Sequence, residues 1–293
     1  RLATSLVLAA RETCAPSEKA KDGRNAVAKF VARYQKLIGT LSRMPVIEVA
    51  RYQVHRLQRI STVSNALLKA ERSTPLHTLD TLTVATKKGR IFKEEPPVLR
   101  RLTPQQARPV LASVKTYRES LQPERQHFLS QYTPLDVAFK VVGTGSVGLR
   151  DYLIYMEGNG ARDPLFLQIK EEPGSATSAG HQGWRVVEGQ RAMQFQSDPF
   201  LGWTAIANRD YLVRQLNDHK GSIEINDLQG QGLIDYAEIC GELLARGHAR
   251  SGDACLIAGY VGNGEKFGAA LGKFAEAYAD QTEKDWRELK KRR

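Results

Sequence analysis

Gly143, Gly145 and Gly148, in the stretch KVVGTGSVGLRDYLIYMEG from Lys140 to Gly158, have the spacing of a phosphate-holding loop. Glycine lets backbone N–H groups approach phosphate oxygens with no Cβ in the way. With Thr144 and Ser146 between them, these residues form the candidate cofactor loop. Three unrelated folds use such glycines. A Walker-type loop needs Lys and then Ser or Thr after its last glycine, and Leu149 and Arg150 stand there instead. A Rossmann turn needs a helix that starts within the glycines, so that pyrophosphate meets a helix N-terminus. The residues after these glycines, RDYLIYMEG, form an alternating run rich in aromatic residues, the pattern of a strand. The glycines therefore join two strands, DVAFKVV and RDYLIYME. A hairpin that is glycine-rich for turn geometry alone would look the same, so the loop needs support from its neighbours.

The downstream order supplies that support. After a turn at Asp163 and Pro164, LFLQIKE reads as a buried strand carrying Lys170 near its end. GWRVVEGQRAMQFQ reads as a helix that places Glu188 18 residues beyond Lys170. FLGWTAI and DYLVRQL read as two more strands, leading into Gln215, Asn217 and Asp218. A glycine-rich hairpin over phosphates, a strand lysine that contacts them and a helix glutamate that orients the lysine make up the protein-kinase arrangement. Singly, Lys170 could be a snorkelling strand lysine and Glu188 a solvated helix residue. Jointly, the order favours an α+β, protein-kinase-like fold, with a small antiparallel sheet of five strands and one helix packed against a mainly helical region. The second half of a kinase is missing. No H-x-D-x-x-x-x-N and no D-F-G occurs. HARSGD offers His248 and Asp253 as catalytic candidates, with Arg250 between them, but the next asparagine, Asn263, is ten residues past Asp253. A structural role for the three is the expectation. No Mg2+ ligands are found, so the expected ligand is a nucleotide, ATP or a relative, and no phosphate acceptor can be named.

The elements that must position these residues are set by periodicity. Residues 24–42 place Val27, Phe30, Val31, Tyr34, Leu37, Ile38 and Leu41 on one helical face. Residues 45–72 also read as helical. LTVATKKGRIFKEEPP reads as a short hairpin turning at Lys88 and Gly89 and stopped by Pro96 and Pro97. Thr103 followed by Pro104 marks a helix start, and that helix is expected to run to about Tyr132. From Pro134 to Asn217 the pattern is mostly strand, with one helix. Helices return at Leu228–His248 and at about Glu265–Lys290, the latter with Phe267, Leu271, Phe274 and Tyr278 as its apolar stripe. Three regions are expected: 1–133, mainly helical with a short hairpin; 134–218, a β-rich nucleotide lobe; and 219–293, helical.

Composition sets outer limits. The chain has 293 residues, with 43 Lys and Arg against 32 Asp and Glu, a net charge of +11. That balance suits an anionic partner. The charge is nevertheless spread out, concentrating only in LKKRR and RYQVHRLQR without interleaved stacking aromatics, so it does not point to nucleic acid. Cys14, Cys240 and Cys255 show no C-x-x-C spacing, which rules against a structural zinc site and fits a reducing, cytoplasmic setting. No run approaches the ~18 apolar residues of a membrane span. RLATSLVLAARE imitates a signal peptide, but its basic region is a single Arg1. Because it starts on Arg, the chain is expected to be a piece of something longer. The oligomeric state is left open.

Across nearly its whole length the chain resembles the bacterial domain of unknown function 2252 family, a kinase-like group. The resemblance rests on RLATSLVLAAR, EPPVLRRL, KVVGTGSVGLRDYLIYMEG, PLFLQIKE, RVVEGQRAMQ, SDPFLGWT, RDYLVRQLNDHKGS, LLARGHARSGD and FAEAYADQTEKD. It implies a permuted kinase-like fold. The family's G-D-x-H-x-x-N-F-G and D-F-D motifs would lie upstream of the segment matching Arg1, and this chain lacks them. By resemblance, Gly143, Gly145 and Gly148 would cover phosphates, Lys170 would contact them, Glu188 would orient Lys170, and Gln215 to Asn217 would face the base. A complete protein would then be a phosphotransferase, and this chain alone would be inactive. The alternative is a non-catalytic scaffold or interaction module that keeps a kinase-like shape.

Overall fold

The computed structural model describes residues 1–15, 17–54, 60–87, 89–141, 143, 147–176, 178–216 and 221–292. The fold is α+β, with helices and antiparallel sheets, and it divides into two compact units. One is 1–69 with 221–293, and the other is the continuous segment 70–220.

The first unit is helical. It contains α1 (Leu2–Thr13), α2 (Lys19–Leu41), α3 (Val46–Arg51), most of α4 (Ser61–Arg72), α9 (Gly230–Ser251), α10 (Ala254–Val261) and α11 (Glu265–Lys291). The stripe expected on α2 is its buried face: Val27, Phe30 and Val31 pack with Leu6, Val7, Leu233, Ala237, Ala275 and Ala279. Further along α2, Tyr34, Leu37, Ile38 and Leu41 pack with Ala245 and Val261. Gly241 lets α9 press on α2, since a Cβ there would lie 2.5 Å from the Phe30 carbonyl oxygen. The continuous helix expected over 45–72 is two helices, because the chain turns extended at Tyr52 (φ −61°, ψ 129°).

The second unit contains α5 (Pro75–Leu82), β1 (Thr83–Thr86), β2 (Gly89–Phe92), β3 (Leu99–Arg101), α6 (Pro104–Glu119), α7 (Pro123–Leu129), β4 (Thr133–Lys140), β5 (Asp151–Glu157), β6 (Pro164–Glu171), α8 (Gln182–Met193), β7 (Gly202–Ile206) and β8 (Arg209–Gln215). β1 and β2 form the expected hairpin, whose turn residue Lys88 lies outside the described residues. The main sheet runs β3-β4-β5-β6-β8-β7 and every pairing is antiparallel. It has six strands where five were expected, because Leu99–Arg101 adds to the edge against Ala138–Lys140. The helix expected to run from Pro104 to Tyr132 breaks before Pro123. Proline disfavours the helical conformation in the residue ahead of it, and Gln122 is extended there (ψ 148°). Thr103 and Gln106 close a reciprocal capping box at the start of α6.

Both faces of the sheet are covered. Ile154, Met156, Leu167, Ile169 and Val213 face α6 through Ala107, Val110 and Tyr117. On the opposite face, Leu153, Tyr155, Phe166 and Leu216 meet Leu79, Phe92 and Leu99. Nearby on that same face α8 sits over β8, with Val187 against Leu201 and Leu212. Segment 70–133 thus belongs with the sheet and not with the helices, so the division falls near residue 70 and not at 133. Among the described residues no helix is long and apolar enough to cross a membrane.

Candidate functional site

The glycine stretch is the connection between β4 and β5, two neighbouring antiparallel strands. Gly143 (φ 22°) and Gly148 (φ 86°) both take positive φ. Space at Gly148 is open, so backbone conformation and not crowding requires glycine there. Thr144, Gly145 and Ser146 lie outside the described residues, as does Asn217. No helix begins at Gly148, which disposes of the Rossmann alternative. The return end of the connection is fixed by buried Glu171: its Oε2 accepts from the Arg150 N–H at 2.9 Å, and its own N–H donates to the Arg150 carbonyl at 2.9 Å. Arg209 Nη1 donates to Glu171 Oε1 at 2.6 Å.

Lys170 lies on β6, in register with Asp151 of β5 on one side and Leu212 of β8 on the other. Residues in register share a sheet face, so Lys170, Asp151 and Leu212 point the same way as Gln168 and Arg214. α8 covers Leu212 on that face. The region around Lys170 is polar inside an otherwise apolar sheet. Arg214 Nε donates to Gln168 Oε1 at 3.1 Å, and Gln168 Nε2 donates to Asp151 Oδ1 at 3.2 Å. Asp151 is only 2% exposed, and its Oδ2 has no hydrogen-bond partner. Burial lifts its carboxyl to about 6, against the pull of Lys170, the Gln168 hydrogen bond and Arg214; Glu172 adds to the rise. Burial also raises the carboxyl of Glu172, opposed by Lys170, Arg185 and Arg214. Three cations and two carboxylates therefore meet just past the glycine turn.

The expected ion pair between Lys170 and Glu188 is not formed. Glu188, on α8, accepts from Arg191 Nη1 at 2.9 Å. Arg191 is held in turn by the Leu201 carbonyl at 2.7 Å and by the Trp203 ring, 5.6 Å to its centroid. Glu188 follows Val187, a residue that α8 buries, and one helical step turns it toward Arg191 on the same outer face. Gln215 ends β8, and its backbone N–H donates to Asp198 Oδ2 at 2.6 Å.

His248, Arg250 and Asp253 lie in the helical unit, each engaged in holding structure. His248 Nδ1 and the Tyr34 hydroxyl are 2.8 Å apart, and burial lowers the imidazole's affinity for protons. Arg250 Nη1 donates to the Ala50 carbonyl at 2.7 Å. Asp253 caps α10, accepting from the N–H groups of Cys255 and Leu256 at 2.8 and 3.0 Å. Among the described residues no group of three or more His, Cys, Asp and Glu is placed to hold a metal ion.

Sequence reasoning missed Asp151, Gln168 and Arg214. The available signal was polarity at period two: Gln168 and Lys170 interrupt a strand that is otherwise apolar, and Asp151 opens the strand paired with it. The family model described as an uncharacterized protein conserved in bacteria (DUF2252) matches residues 1–292. The chain belongs to this family. No curated protein and no solved structure gives a match.

Proposed function

We propose that this DUF2252 family member binds a nucleotide, ATP or a relative, in segment 70–220, with the Gly143–Gly148 turn and Lys170 on its phosphates, and that the lobe is kinase-like. The observation that carries the reading is the order β4-β5-β6-β8-β7 around three features. The glycine turn joins the first two strands, Lys170 sits on the third, and α8 lies between third and fourth in sequence, on the face to which Lys170 points. This order resembles that of a protein-kinase small lobe and supports the reading. The support is an analogy of fold joined to a cationic cluster, and the cluster is what a phosphate needs. Lys170 is a compact charge on a flexible stem, suited to phosphate oxygens. Arg214 and Arg185 add positive charge nearby. Phosphoryl transfer would need metal-holding carboxylates in addition.

A non-catalytic kinase-like module is the second reading. It is favoured by the engagement of Glu188 with Arg191, which leaves the helix carboxylate of a working kinase otherwise employed.

Equilibrium binding of a fluorescent trinitrophenyl-ATP analogue, displaced by ATP, tests the proposal. Removing a charged hydrogen-bond donor costs about 1.5–3 kcal/mol, so Lys170→Met should weaken binding roughly 10- to 100-fold. Displacement constants equal in wild type and Lys170→Met would move the ligand away from this site. No binding at millimolar ATP would leave the second reading.

A further inference from the structure

We infer that Asp151, and not Glu188, is the carboxylate that positions Lys170. The inference rests on reading Lys170 as the phosphate lysine; the two groups are cross-strand neighbours with Asp151 Oδ2 unpartnered, and their coupling can be tested without nucleotide.

Three geometric observations support it. First, register: Asp151 and Lys170 are direct cross-strand partners in the β5–β6 ladder and lie on one face. Such partners have Cβ atoms ~5 Å apart, and the spacing is set by backbone hydrogen bonds, so no helix movement can change it. Second, polar accounting: Asp151 is buried, Gln168 satisfies Oδ1, and Oδ2 has no partner. A buried carboxylate oxygen without a donor is costly. Lys170 supplies the strongest positive influence on this carboxyl, ahead of Arg214, whose Nε is committed to Gln168. The lysine stem is flexible enough to bring its ammonium toward Oδ2 or toward a ligand's phosphate. Third, the rival is occupied: Glu188 accepts from Arg191, itself pinned to the Leu201 carbonyl.

The pairing also links the lysine to the loop. Asp151 directly follows Arg150, whose backbone is tied on both sides to Glu171, the residue after Lys170. Asp151–Lys170 and Arg150–Glu171 are thus adjacent rungs that join the end of the glycine turn to the lysine strand.

The charged groups around Asp151 are Lys170, Arg214 and Glu172, with Arg185 facing Glu172 from α8. In protein with reductively 13C-methylated lysines, the Lys170 resonance is identified by its loss in Lys170→Arg. It should shift as Asp151 titrates, should stop doing so in Asp151→Asn, and should be unchanged in Glu188→Gln. Should Asp151→Asn not fold, the reciprocal measurement serves: the Asp151 carboxyl resonance should titrate at higher pH in Lys170→Met than in wild type. A Lys170 resonance indifferent to Asp151→Asn, one displaced by Glu188→Gln, or an Asp151 titration unmoved by Lys170→Met would overturn the assignment. Nucleotide binding that fails while the coupling persists would sink the proposed ligand and leave the pairing standing.

Discussion

Asp151 holds its proton more tightly in the fold than in the unfolded chain, about 6 against an ordinary 3.8. The folded state therefore binds more protons between those values, and this group's contribution to stability falls as pH rises through them. At about 1.4 kcal/mol per pKa unit, the contribution changes by at most roughly 3 kcal/mol and is level above the folded value. Asp151→Asn keeps the shape and removes the titration. Urea unfolding from about pH 4 to about pH 7 should show wild type losing stability relative to the variant. Parallel profiles would mean that the carboxyl is not desolvated as described. At this scale the sequence was only partly legible. Lys170 and the glycines announce themselves by type and spacing. Asp151 reads as an ordinary strand-opening residue until the register sets it against Lys170. Glu188 stands out by its distance along the chain, which says nothing about which way a helix turns it.

The elements were far more legible, because periodicity reports burial directly. α2 and the strands from 133 to 215 match their apolar patterns closely, whereas the stripe expected on α11 splits: Phe267 and Leu271 pack inward, but Phe274 and Tyr278 are exposed and Ala275 and Ala279 are the buried residues. The misses have physical causes. Strand β3 has three residues, too few for an alternation to register, and α6 ends at Glu119, shortly before Pro123 holds Gln122 extended and opens a separate helix. The mutual approach of elements was not legible at all, since it depends on which glycines face a partner. Gly183, in the first turn of α8, would place a Cβ 2.2 Å from the Tyr211 carbonyl oxygen, so α8 rests on β8 with no room to spare. Gly183→Ala should cost about 1–3 kcal/mol by overpacking, measured as lowered resistance to denaturant. Gly189, on the same helix with open space around it, is the control. Gly189→Ala should be neutral or gain up to about 1 kcal/mol from helix propensity. Equal effects at the two positions would refute the tight contact of α8 with β8.

On the scale of the molecule, the chain is interrupted in an ordered way. The helical unit is assembled from both ends of the sequence, and segment 70–220 lies between them as a continuous piece. That piece holds its own cores on both sheet faces and all the described residues of the proposed site. Expressed alone, 70–220 should unfold cooperatively, with calorimetric and van't Hoff enthalpies in agreement. Broad, probe-dependent melting would show that it relies on the helices. The net charge of +11 makes any anion a weak ligand somewhere on this surface, so affinity for ATP means little unless it is tied to a residue. The most direct measurement is the melting temperature against ATP concentration for wild type and Lys170→Met at one fixed ionic strength. At ten times Kd, binding stabilises the fold by about 1.4 kcal/mol, which at roughly 2–4 °C per kcal/mol is a rise of a few degrees. That rise is expected in wild type and its loss in Lys170→Met, each protein being measured against its own melting temperature without ATP. An equal rise in the two would contradict this, because the nucleotide would then be held by general surface charge and not by the lysine behind the glycine turn.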